Sequence, residues 1–426
     1  MTQKKNKICN GQFVNVVKCL KWWRKAMQPV PKYPKSYPLE HLIFLHCRIR
    51  IPLENQFIPK ETEWFVLIDE GYPWGTIEFH PGRNNGIEVT FQHQSYNGPG
   101  GDDRLPWRSG NICCKTPMRS LKRSEYDSEP INPGERLLWN FQRARDWLHN
   151  ASKDQLVSPG DPFELPHFPN DSSYKNGAVV FSEDANSLHV WNQIDENSGI
   201  AILEIYESAP KRIFVKIFLS AKNKELYRPC FGNAFSEKSK FSFECIWIKI
   251  RNLPVLAPWQ APVSWGELKR LFEEENLDLK DLLGGLLKQF RDGKKHILLL
   301  GFPIPKTFGG RFEQMHWQPI HMPVLSFGKE KGFRPIEKGY QSRDFSMVFT
   351  ENKSLNWYIS ENWHAEQIST RGRYPKSILN LSVVMIGAGA IGSMFGELLV
   401  RSGISSLFII DNDKLELYGL FQVILY

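Results

Sequence analysis

The spacing of apolar residues changes along this chain, and each change marks an element. Near the start, Val14, Val17, Leu20 and Trp22 or Trp23 recur at helical spacing, predicting a basic helix over 1–28 that Pro29, Pro31 and Pro34 end. Strand-like runs follow over 42–51, 63–68 and 86–92, then a Gly-, Asp- and Pro-rich loop over 96–110. Asn132-Pro133-Gly134-Glu135 reads as a helix start, with Asn as cap, Pro at the first helical position and an acid in the first turn. Leu137, Phe141, Ala144, Leu148 and Ala151 give that helix one apolar face. A Pro-rich connector, 161–170, leads to predicted strands over 178–181, 212–219 and 241–250. Ser264 and Glu267 form a capping box for a helix carrying Leu268, Leu271, Phe272 and Glu275, a second helix is predicted over 282–290, and a buried strand over 296–300. Near the end, residues 383–386 are apolar without alternation, as in a strand buried on both faces. Gly387-Ala388-Gly389-Ala390-Ile391-Gly392 follows, then a helix with Phe395, Leu398 and Leu399 on one face, closed by Gly403, then a second buried strand, 407–410, ending at Asp411.

The chain has 426 residues, enough for two or three domains, and its 41% hydrophobic content supports real cores. The net charge of +8 is uneven: residues 1–50 hold eleven Lys and Arg and one acid, Glu40. A basic leader suits nucleic acid or an acidic partner, but a solvated basic surface is the plainer reading, so no nucleic-acid role is expected. Cys9, Cys19, Cys47, Cys113, Cys114, Cys230 and Cys245 are scattered without a Cys-x-x-Cys pair, which argues against a zinc ribbon and a disulfide framework and for a reducing cytoplasm. No run reaches the roughly eighteen apolar residues of a membrane span. His316, His321 and His364 stand singly and read as surface or hydrogen-bonded core histidines.

Strand, glycine turn, helix and strand in this order form the start of a nucleotide-binding Rossmann unit. The glycines let backbone approach a phosphate, and the helix N-terminus offers it unpaired N–H groups and partial positive charge. Asp411, nineteen residues past Gly392, is placed to accept from a ribose hydroxyl. The motif alone does not choose between nicotinamide, flavin and ATP. Gly-Ala-Gly-Ala-Ile-Gly-Ser, the later Leu-Val-Arg-Ser-Gly, and Ile-Ile-Asp-Asn-Asp-Lys-Leu-Glu together resemble the ThiF/ubiquitin-activating superfamily. The resemblance implies adenylation of the C-terminal glycine of a ubiquitin-like protein with ATP and Mg, the nucleotide held by Gly387, Gly389, Gly392, Asp411 and Asp413 and reached from upstream by Arg371 or Arg373.

The first part of the chain resembles the ubiquitin-conjugating fold. Gly-x-Ile-Cys at 110–113 matches that family's cysteine signature, and Leu-Leu-Trp-Asn-Phe-Gln-Arg-Ala-Arg-Asp-Trp-Leu with the later Gly160-Asp-Pro-Phe-Glu-Leu-Pro166 resembles bacterial conjugating-type domains fused to ThiF-type domains. The usual His-Pro-Asn is absent; Phe91-Gln92-His93-Gln94-Ser95-Tyr96-Asn97 resembles the bacterial variant. The resemblance implies that Cys113 carries an acyl group as a thioester, with Asn97 or His93 as donor to the oxyanion. A carrier thiol must be accessible and react as thiolate, and Arg108 and Lys115 flank it in sequence. An ordinary small core residue is the bland alternative for Cys113 and Cys114. If the segment is extended, Cys114 points the other way.

The expected architecture is therefore multidomain, α/β and α+β: a ubiquitin-conjugating-like α+β domain over 1–160, a mixed α/β connecting domain over 161–375, and the start of a Rossmann-like ThiF domain over 376–426. Past Glu416 the Asn and Arg of the ThiF pattern are missing, which predicts a shifted frame or shortened gene and an incomplete ATP site. The resemblance further implies, as partners, a ubiquitin-like modifier or a protein with such a tail, a cyclic-nucleotide synthase in an antiphage system, and a homodimer. A nicotinamide or flavin oxidoreductase built on the Gly387 turn, and a truncated non-enzymatic binding module, are the alternative readings.

Overall fold

The computed structural model describes residues 42–99, 105–114, 129–169, 177–206, 209, 211–231, 239–329, 334–364, 376–404 and 406–412. The expected helix over 1–28 lies outside them, as do Lys115, Arg371, Arg373 and Asp413.

The first body is an antiparallel meander of β1 (Leu42–Arg50), β2 (Glu61–Asp69) and β3 (Ile77–Pro81). Period-two alternation along β2 sends Trp64, Val66 and Ile68 to one core and Phe65 and Leu67 to a second, where Leu105 and Trp107 cover them. Helix α1 (Pro133–Ser152) lies on the first face. Its start follows the sequence: Asn132 caps it by accepting from the N–H of Gly134 at 2.9 Å. Ala144, Leu148 and Ala151 are buried, with Leu137 and Phe141 packed beside them. Edge-to-face pairs, Phe79 with Phe141 and Phe91 with Trp147, close this core.

The strand expected over 86–92 is not formed; the third strand is Ile77–Pro81 instead. Ile87 and Phe91 are buried as the alternation demanded, but the backbone carbonyls of Ile87 and Val89 pair with the Asn97 side chain rather than a neighbouring strand.

The second body is an eight-stranded sheet: β4 (Ala178–Phe181), β5 (Ser198–Ile205), β6 (Arg212–Ser220), β7 (Glu225–Tyr227), β8 (Phe241–Lys249), β9 (His296–Pro305), β10 (Phe312–Met322) and β11 (Ile359–Asn362). The order is β10-β9-β8-β5-β6-β4-β11, with β7 paired to β6. Both faces are covered. Ile246, Ile248, Leu298, Leu300 and Ile320 pack under α3 (Trp265–Glu274) and α4 (Leu279–Gly284). Cys245, Trp247, Leu299 and Trp317 face α2 (Ala185–Trp191), whose Trp191 is buried among them. Ser264 caps α3 through the N–H of Glu267, but the Glu267 carboxylate accepts from Val263 instead of closing the box on Ser264. The helix expected over 282–290 is split into α4 and a 3-10 turn, Leu287–Phe290.

Short α5 (Glu337–Arg343) packs on the second body, where Gln341 donates to the carbonyl of Gly284 at 2.7 Å; the last body holds α6 (Lys376–Leu379), β12 (Ser382–Ile386), α7 (Ala390–Arg401) and β13 (Ser406–Ile410). The two strands pair in parallel, Ser382 opposite Ser406. Their expected burial on both faces is not observed: Val384, Ile386, Phe408, Ile409 and Ile410 are exposed, as are Phe395 and Leu398. The packed side of α7 is Gly396 and Leu399, against Met385, Leu407, Leu379 and Ile404. A two-stranded sheet with one helix offers a partner to only one face. No described helix is long and apolar enough to cross a membrane.

Candidate functional site

Cys113 sits on a segment built to present it. Residues 93–95 and 111–113 run antiparallel: the N–H of Ser95 donates to Asn111 at 2.9 Å and that of Cys113 to His93 at 2.8 Å. Ile112 is buried, while Cys113 is exposed. Cys114 packs on the core, and burial pushes its thiol up to about 12. Extended backbone thus separates one accessible thiol from one held protonated. Both cysteines line a cavity of about 680 Å³, Cys113 as the exposed one and Cys114 as the half-buried one.

Of the predicted donors, His93 also lines this cavity and takes a left-handed backbone, φ 54°. Asn97 does not. It is buried, and both hydrogens of its amide go to the carbonyls of Ile87 (2.8 Å) and Val89 (3.0 Å). It braces the loop from behind: a Cβ on Gly110 would stand 2.5 Å from Asn97 Oδ1, so the residue three before Cys113 must be glycine. With both N–H groups used, Asn97 has no donor to offer an oxyanion in this arrangement. Arg108 likewise serves the loop, donating to the carbonyls of Asn97 and Glu88.

The far wall of the cavity comes from the connector after α1 and from a loop ahead of α3: Glu164, Leu165, His167 and Trp259. These residues were missed in the sequence because nothing local marks a connector as part of a cysteine site. The Gly160–Pro166 stretch was noticeable only as a resemblance.

At the other end, the glycine turn takes the expected course. Gly387 has φ +89°, a region open to glycine, and donates its N–H to the carbonyl of Ile410 at 2.8 Å. A Cβ on Gly392 would lie 1.9 Å from the Gly387 oxygen, whereas one on Gly389 meets nothing within 4 Å. Gly389 caps α7 with no side-chain hydrogen bond, so the first N–H groups of the helix face open space. Asp411 accepts from the N–H of Ala388, which fixes the carboxylate beside the turn. An open approach and an uncapped helix start fit a phosphate group. Among the described residues no cluster of three or more His, Cys, Asp or Glu is placed to hold a metal ion.

Comparison with known proteins agrees with this geometry. A family described as the Cap2 central linker domain matches residues 154–363, and the ThiF family matches residues 362–426. The chain is 33% identical over 368 residues to the ATP-dependent ubiquitin transferase-like protein Cap2 of Enterobacter hormaechei subsp. hoffmannii (strain UCI 50), covering 85% of this chain and 60% of that protein. A stretch of 43 residues is 56% identical to the cyclic AMP-AMP-GMP synthase of the same strain, 10% of this chain and 11% of that enzyme. The same length is 56% identical to the probable cyclic AMP-AMP-GMP nucleotide synthase of Salmonella paratyphi B. A linker of this type followed by a ThiF segment defines a ThiF-type fusion protein. The chain is a Cap2-like homologue that spans 60% of the length of the relative it matches. These matches do not favour an oxidoreductase reading of the glycine turn.

Proposed function

We propose that this chain works in ATP-dependent activation and conjugation of a ubiquitin-like modifier, or of a protein with such a tail, with Cys113 as the acyl carrier. The supporting observation is the pairing of an exposed Cys113 with a core-packed Cys114 on the wall of a cavity of about 680 Å³. In this reading residues 1–160 form the conjugating-type domain, 161–375 the connecting domain, and 376–426 the start of the adenylating domain. The Gly387–Gly392 turn and the start of α7 receive phosphate, Asp411 takes the ribose, and Asp413 is counted among the nucleotide-binding residues. Arg373 reaches the phosphates from upstream, and magnesium arrives with the triphosphate.

The chemistry asked of the first domain is acyl exchange. A thiolate at Cys113 attacks an activated carbonyl, carries the acyl group as a thioester, and yields it to an amine. An antiphage setting with a cyclic-nucleotide synthase as partner belongs to this proposal; the short likeness to two such synthases supports it. A cytoplasmic location belongs to the same proposal. A homodimer is part of the same reading.

Incubation with ATP, a modifier and an activating relative tests the assignment. Wild-type chain forms an adduct that reductant cleaves; Cys113→Ser gives a reductant-resistant ester or none, and Cys114→Ser keeps the adduct. Loss of the adduct in Cys114→Ser alone would move the carrier by one residue.

A further inference from the structure

The wall of the Cys113 cavity carries a histidine–carboxylate contact that joins two bodies of the chain. Nδ1 of His93, on the cysteine loop, lies 3.2 Å from Oε2 of Glu164, on the connector. We propose that the connecting domain supplies a positioning residue to the conjugating site: Glu164 holds the His93 ring so that its Nε2 takes the proton of the attacking amine. This rests on Cys113 being the acyl carrier.

Both partners are fixed by their surroundings. His93 is locked at its backbone, because its carbonyl accepts the Cys113 N–H and its left-handed φ leaves little room to drift. Glu164 is fixed by the residues on either side. Phe163 pairs its N–H with the carbonyl of Lys306 and stacks edge-on against Trp259, and Phe168 packs on Phe302 and Trp357. The connector is thus stitched to the end of β9, and the carboxylate is delivered from a rigid base. A second clamp holds the two bodies together: the N–H of Trp259 donates to the carbonyl of Thr90 at 3.1 Å.

The other charged groups of the cavity have partners of their own. Glu78 pairs with His80 at 3.2 Å, and Glu129 with Arg136 at 2.7 Å. His167 stands with its charged form disfavoured by burial. Glu164 is the carboxylate paired with the imidazole next to the carrier. A carboxylate on Nδ1 fixes the tautomer with Nε2 bare, which makes a base of the ring. At 60% exposure Glu164 contributes little to stability, so the pairing is better read as orientation.

The step balances. The amine nitrogen attacks the thioester carbonyl, the C–N bond forms, and the C–S bond to Cys113 breaks with the pair leaving on sulfur. The amine proton passes to His93 Nε2. The imidazolium then returns it to the Cys113 thiolate.

The full chain can be loaded without adenylation. A short glycine-ended peptide, supplied as a mercaptoethanesulfonate thioester, exchanges onto Cys113, and intact mass follows its discharge to free lysine or to hydroxylamine. Glu164→Gln should slow lysine discharge roughly tenfold, a fraction of what a general base contributes. Hydroxylamine, already unprotonated at neutral pH, should be affected much less. Glu164→Asp should recover most of the rate, and Glu164→Gln should add nothing to His93→Gln. An unchanged rate in Glu164→Gln, or an equal loss with both nucleophiles, would overturn the role of the linker while leaving the carrier intact. Failure of the peptide to load Cys113 would overturn the carrier reading and this inference with it.

Discussion

Gln260 Oε1 accepts from both the backbone N–H of Thr90, at 3.0 Å, and its hydroxyl, at 2.6 Å. Thr90 Oγ1 in turn accepts from the N–H of Asn97 at 3.0 Å. One side chain of the linker therefore ties down the loop that braces Cys113. Gln260→Ala removes the acceptor from two part-buried donors and should cost about 1–3 kcal/mol. Hydrogen exchange should quicken over 89–97 and leave β4–β6 unchanged; uniform or absent change would contradict this tie.

Glu183 provides a pH test of the linker fold. It is fully buried, its Oε1 accepts from Trp191 Nε1 (3.0 Å) and Trp317 Nε1 (2.8 Å), and burial pushes its carboxyl up to about 8. The folded protein thus holds a proton that the unfolded chain releases near 4.5, so this contribution is fully present below that pH and is lost as pH rises to about 8. His316 works oppositely: burial holds it down to about 4, so its contribution is lost below its usual 6.5. Between about pH 6.5 and 8 Glu183 alone of these two sets a slope, at most about 1.4 kcal/mol per pH unit. Glu183→Gln keeps the acceptor for both indoles. Urea midpoints should flatten over that window in the variant; an unaltered slope would show the carboxylate ionised in the fold.

Arg291 and Asp344 form a buried ion pair, the side chains 7% and 0% exposed, and Asp344 also accepts from the N–H of Ser326 at 2.8 Å. Glu337 also reaches the guanidinium, at 3.3 Å, but is partly exposed; Asp344→Ala leaves the buried Arg291 with that weaker partner and should cost up to about 3–5 kcal/mol. Arg291→Met with Asp344→Leu should cost less than Asp344→Ala alone, because no buried charge remains and Glu337, 38% exposed, can be solvated. Denaturant melts of the three variants measure it, and a double variant worse than the single would refute the reading.

Two glycines of the nucleotide turn should respond oppositely. Gly392→Ala drives a Cβ to 1.9 Å from the Gly387 oxygen and should unravel the start of α7, seen as faster hydrogen exchange over 390–396. Gly389→Val enters open space and should leave that exchange unchanged, while weakening ATP binding at the turn.

Much of this was legible in the sequence where local rules decide the outcome. The Asn132 cap, the Ala144–Leu148–Ala151 stripe, and the strand–turn–helix–strand around Gly387 all follow from short-range chemistry. The contrast between Cys113 and Cys114 was readable too, since alternation in extended backbone needs only neighbouring residues. Where the pattern misled, tertiary partners had intervened. Residues 86–92 alternate like a strand, yet Asn97 takes the carbonyls a strand would need. Strands such as Ser198–Ile205 and Phe312–Met322 were not foreseen, because buried on both faces they show no alternation. Glu164 and Gln260 were invisible for a different reason: their place beside Cys113 depends on how the linker docks, which no local spacing encodes.

The most direct test of the whole account is where an acyl group lands. The full chain, mixed at neutral pH with a glycine-ended peptide thioester and trapped by acid, can be digested and mapped by tandem mass spectrometry. Cys113 should carry nearly all the label, ahead of the other exposed described thiol, Cys230, with none on Cys114 or Cys245. Labelling of Cys114, or a Cys113 that reacts no faster than Cys230, would contradict the assignment of the acyl carrier.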